Sequence, residues 1–159
     1  MSKDRVEKKR SKTDELKSDL AQCYLDIAAV MIIVINANQE VALINRKGCE
    51  ILGYSEEEII GKNWFDHFLP QKEIDEVKKV FDRLVTEEIE PVESYENQVL
   101  CKNGEIKILA WHNTLLKDQK GSITGTLSSG LDITERKQVE GKLRESEARY
   151  RSLFEDSPI

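Results

Sequence analysis

Few side chains in this sequence could do chemistry: two histidines, three cysteines and two tryptophans. Cys23, Cys49 and Cys101 are odd in number and widely spaced, so they imply neither a disulfide framework nor a zinc site, and they point to a reducing compartment. His67 and His112 belong to no His/Cys/Asp cluster at metal-ligand spacing. No Gly-rich loop is arranged to cradle phosphate, and no nucleophile has a base at a recognisable distance. The carboxylate-rich pieces "SEEEI" and "TEEIEPVE" fall at helix ends and turns, where capping and solubility explain them. No metal site and no enzyme emerges. What remains is Trp64, Trp111 and Asn113: two broad rings and an amide that could line a slot, or could simply pack as core.

Composition narrows the partners. Net charge is −6, with 39% hydrophobic and 34% charged residues, as in a cytoplasmic protein that has nucleic acid neither as partner nor as substrate. The charged start "MSKDRVEKKR" is no leader, and the longest apolar run, "AAVMIIVI", is too short to span a bilayer, so no membrane is expected.

The elements that must position these residues can be placed by pattern. From Ser2 to about Ala28 there is no Gly or Pro, and Leu16, Leu20, Cys23 and Ile27 step as a heptad seam on one helix face. Val6 and Thr13 extend the seam upstream and Lys9 breaks it. Such a charged helix needs a packing partner. It either caps its own domain or also pairs between subunits. "MIIVINANQEVALIN" predicts a hairpin around Asn36–Gln39. Asn45 caps a brief helix stopped by Gly53, Ser55 and Glu58 have capping-box spacing, and Asn63 caps a third short piece. Pro70 opens one long helix whose stripe is Ile74, Val77, Val80, Phe81, Leu84 and Val85. Two strands joined at Asn103-Gly104 follow, then a turn at Lys117–Gly121 and a last strand, "SITGTLSSGLDIT". The fold class is α+β: a five-stranded antiparallel sheet with helices on one face. After it, Thr134 can cap a final helix, with Asp132 meeting Arg136. Val139, Leu143, Ser146, Tyr150 and Leu153 make a second heptad seam.

The order of elements, with "CEILGYSEEEIIGKNWFD", "KNGEIKILAWHNTLLKD" and above all "GLDITERKQVE", resembles the PAS domain, a sensor and dimerisation module. The resemblance covers roughly residues 20 to 140. It implies a sensory domain of a larger signalling protein, most often a two-component histidine kinase, with downstream PAS or kinase domains in the same chain. It divides the sequence into an amphipathic helix at 1–28, a PAS sensor at 29–134 and a signalling helix at 135–152. Residues 153–159 would start a second repeat, since "FEDSPI" at 154 lies against "LDIAAV" at 25, an offset of 154 − 25 = 129.

The resemblance also bears on cofactors. Light-sensing flavin members place a Cys where this chain has Trp64, and amides where it has Val99, Leu109 and Leu127, so a light-reactive adduct is not expected. Haem-binding members take an axial His from the long helix, which here has none. The expectation is no cofactor. The alternative is a small apolar ligand or a redox flavin in a pocket lined by Ile33, Ile35, Trp64, Phe68, Leu84, Val99, Leu109, Trp111, Asn113 and Leu127. The expected mechanism is mechanical, with Asp132, Thr134 and Arg136 setting the exit of the last helix. A homodimer would form through the first helix and the outer sheet face around Ile108 and Ala110.

Overall fold

The computed structural model describes residues 3–87 and 95–155, with side chains from Lys12 onward. Val6 and Lys9 of the first seam, most of "TEEIEPVE", and 156–159 of the expected second repeat lie outside the described side chains or residues. Helix α1 (Lys3–Ile27) leads into strands β1 (Met31–Asn36) and β2 (Val41–Ile44). Three short helices follow, α2 (Arg46–Leu52), α3 (Glu56–Ile59) and α4 (Trp64–Phe68), then a 3-10 turn at Gln71–Glu73 that feeds α5 (Ile74–Val85). Strands β3 (Tyr95–Leu100), β4 (Ile106–Lys117) and β5 (Ile123–Asp132) complete one antiparallel sheet in the order β2-β1-β5-β4-β3, and α6 (Thr134–Glu155) leaves it.

Local chemistry fixes the short helices. The Asn45 Oδ1 accepts from Gly48 N at 3.0 Å, and Gly53 ends α2 in the left-handed region at φ 75. Ser55 and Glu58 form the reciprocal capping box, and Asn63 accepts from the backbone of Phe65 and Asp66. Asn45 does more than cap. Its Nδ2 donates to the carbonyls of Leu25 and Val30 at 3.0 and 2.9 Å, and its Oδ1 also takes Ile32 N at 2.9 Å. One buried amide thus ties the end of α1, the start of β1 and α2 together.

Between the helices and the sheet lies the core. Val77, Phe81 and Leu84 of α5 are buried against it, as the apolar stripe predicts. Phe65, Phe68, Ile33, Leu109 and Val99 are almost wholly enclosed; each such side chain contributes about 1.5–3 kcal/mol of burial. Phe65 stacks edgewise on Phe81 at 5.1 Å, which locks α4 to α5.

Strand β5 turns its polar side inward. Thr126 and Ser128 point into the core, opposite Ile35 and Ile33, while Leu127 pairs with Val34 and Thr114 on the outer face. Leu127 therefore does not line the core side, contrary to the sequence expectation. The inward positions of β5 carry small hydroxylated residues, so the apolar residue of the pattern marks the wrong face. That outer face presents Ile32, Val34, Ile108, Ala110 and Leu131, the last 47% exposed. His112 is exposed there too, as alternation predicts.

Candidate functional site

Two regions could carry function: a cavity under α5, and the exit of α6. Of the residues named for a pocket, Ile33, Ile35, Trp64, Leu84, Trp111 and Asn113 line the cavity. Phe68, Val99 and Leu109 are solid core instead and do not border it. The cavity measures about 50 Å³.

Its polar wall was not foreseen. Tyr95 and Asn97 of β3, with Thr126 and Ser128 of β5, also face the cavity. The indole N–H of Trp111 donates to Asn97 Oδ1, and the Ser128 hydroxyl donates to Asn113 Oδ1. Because an indole N–H can only donate, it fixes which way the Asn97 amide points. Burial first, then the carboxylates of Glu76 and Glu73, pushes the Tyr95 phenol above its ordinary range, so it stays a neutral hydroxyl. Parity gives these residues: counting back by twos from the buried Val99 reaches Asn97 and Tyr95.

At the exit, the geometry corrects the expected roles. The carboxylate of Asp132 accepts from Thr134 N at 3.0 Å and from its hydroxyl at 2.6 Å. Asp132 does not pair with Arg136. The Thr134 hydroxyl in turn accepts from Ile108 N on β4 at 3.0 Å, rather than from a helix N–H. Buried Ile133 donates to Ile108 O and its carbonyl receives Lys137 N, starting the helix. Arg136 instead reaches Glu96 on β3 at 3.8 Å and Glu140 at 3.7 Å. Thus Asp132 and Thr134 meet at one hub, and Arg136 belongs to a neighbouring charge cluster.

Beyond that hub α6 is exposed, as is α1 ahead of its tie to Asn45. No residue of α6 is buried; Val139, Leu143, Tyr150 and Leu153 are exposed. Leu16, Leu20, Cys23 and Ile27 of α1 are exposed likewise. Helix α6 runs on through Leu153 to Glu155, past the expected end at 152. Among the described residues, no helix is long and apolar enough to cross a membrane.

A family model described as PAS fold matches residues 25–138. The chain belongs to the PAS family. It is 29% identical over 143 residues to sporulation kinase C of Bacillus subtilis (strain 168), covering 86% of this chain but 32% of the kinase. The chain thus spans about a third of that relative's length. Among solved structures, the PAS domain of a Colwellia psychrerythraea protein superimposes with a TM-score of 0.66 at 19% identity, covering 76% of this chain and 98% of that one. An RNA-binding light-oxygen-voltage receptor gives 0.65 at 19% identity over 91% of this chain and 40% of its own.

Measured against this PAS core, a flavin does not fit. Trp64 and Trp111 meet edge to face at 5.9 Å and 88°, closing on each other instead of flanking a common slot. A cavity of about 50 Å³ is far below the roughly 300–1,000 Å³ of a cofactor pocket.

Proposed function

We propose that this PAS domain is a dimerising signal relay of a larger cytoplasmic signalling protein, a histidine kinase in the first instance, with output through α6. The observation that carries it is the contrast at α6: its root is fixed to the sheet by the Asp132–Thr134–Ile108 hub, while the residues of its apolar stripe stay exposed. Leu16, Leu20 and Ile27 on α1, and Val139, Leu143 and Leu153 on α6, need a partner. In a two-fold pair these six double to twelve. At about 1.5–3 kcal/mol for full burial of each, half-burial of twelve yields about 9–18 kcal/mol, comparable with the roughly 4–15 kcal/mol cost of association. The outer sheet face around Ile108, Ala110 and Leu127 extends the same interface. A change in the packing of two such copies shifts the paired α6 helices, and whatever domain follows receives that shift.

A second reading, a small-ligand sensor, is favoured by the polar wall of the cavity, which Asn97, Asn113, Thr126 and Ser128 face. Its ligand would be small and neutral, since among the described residues no charged side chain lines the cavity.

Native mass spectrometry on fresh protein, set beside the denatured chain, separates the two. A dimer without added mass supports the relay. A reproducible added mass lost on denaturation makes the chain a ligand sensor, and a bare monomer defeats both.

A further inference from the structure

The cavity and the output helix are joined by one side chain. Glu96 stands on β3 between Tyr95 and Asn97, both of which line the cavity. Its own carboxylate points the other way, to α6: Oε2 lies 3.0 Å from Lys137 Nζ, and Oε1 lies 3.8 Å from Arg136 Nη2. The same two cations are also within reach of Glu140, at 3.7 Å from Arg136 and 4.0 Å from Lys137. Two cations on the first turn of α6 are therefore shared between a carboxylate on the sheet and one on the helix itself.

We propose that Glu96 is a positioning residue that latches α6 to the cavity's own strand, and that Glu140 is its competitor. This rests on the reading of α6 as the output. The Asp132–Thr134 hub holds the pivot, whereas Glu96 sets the direction in which the helix leaves. Releasing the latch strands no charge, because Glu140 receives both cations. All four side chains are partly exposed, so each pair is weak and screened. The two arrangements are therefore close in free energy, and a small displacement of β3 selects between them. Any change in the cavity that moves Asn97 or Tyr95 moves the carboxylate between them.

The test is a distance measurement by double electron–electron resonance on the full chain. Spin labels go on Lys62→Cys and Glu147→Cys, two exposed sites on the core and on α6, in a Cys23→Ala background. Dilution with unlabelled chain leaves only distances within one copy. Glu96→Gln should raise the population of a second distance about two- to fivefold, the range set by an exposed ion pair. Glu140→Gln should lower it, and high salt should reproduce Glu96→Gln in the wild type while adding nothing to that variant. Asn97→Ala should shift the populations with Glu96 present and leave them unmoved in the Glu96→Gln background. An unchanged distribution in Glu96→Gln, or a shift in the same direction in Glu140→Gln, overturns the latch. The distances are read within one chain, so the latch fails or stands independently of the subunit number that tests the relay.

Discussion

Replacing Asn45 probes the joint that seats α1 on the sensor core. The side chain is 2% exposed and saturates all four of its hydrogen-bonding positions, with Leu25 O, Val30 O, Gly48 N and Ile32 N. Asn45→Ala removes all four bonds, and at about 1 kcal/mol net for each the loss approaches 4 kcal/mol. Water can reach some of the freed backbone groups, so about 3 kcal/mol is expected, lowering Tm by about 12 °C for a domain of this size. Asn45→Asp retains the acceptor that caps α2 but turns a second oxygen toward the Leu25 and Val30 carbonyls. That carboxylate is buried against acceptors, so its folded-state pKa rises above the unfolded value. The penalty is then full above the folded pKa and is relieved as pH falls toward about 4, where the acid recovers a donor. Urea unfolding followed by tryptophan emission, run at pH 7 and pH 4.5, measures both variants. Asn45→Ala within 1 kcal/mol of wild type, or Asn45→Asp as stable as wild type at pH 7, would refute this account of the joint.

Three other outcomes follow from the same geometry. Asp132→Ala and Thr134→Val each loosen the hub by about 1 kcal/mol; hydrogen exchange at the start of α6 should accelerate while that of β1 and β5 stays slow. Gly130→Ala places a methyl 2.7 Å from the Trp111 ring, an overpacking of about 1–3 kcal/mol that should also shift indole emission. Thiol labelling at neutral pH should begin at exposed Cys23 and reach Cys49 and Cys101 slowly, since burial raises both of those thiols above their ordinary range; equal rates at all three would contradict the packing.

Much of the fold was legible because its punctuation is local. The caps at Asn45, Ser55 with Glu58 and Asn63, and the turn at Asn103-Gly104, each act within four residues, and the stripe of α5 repeats often enough to show its buried face; the reach of Asn45 to Leu25, Val30 and Ile32 is not local and did not show. The site was less legible because it depends on strand register. Leu127 looked like an inward residue, yet β5 turns Thr126 and Ser128 inward beneath α5. The Asn97–Trp111 bond joins two strands across a hairpin, and only counting by twos from Val99 reveals it. Arg136 has an acidic neighbour in sequence at Asp132, but that carboxylate is already held by Thr134, and Glu96, far away along the chain, receives the charge.

In the proposed relay the seams of α1 and α6 face a second copy of this chain. Cys23 sits on the α1 seam, so a parallel two-fold pairing brings it opposite itself. Mild oxidation of the native protein, followed by non-reducing electrophoresis with Lys17→Cys in a Cys23→Ala background as the off-seam control, tests this directly. Rapid conversion of the 18.3 kDa chain to a covalent dimer through Cys23, and slow conversion through the control, is the expected result. Free labelling of Cys23 by a maleimide with no faster cross-linking than the control would contradict it.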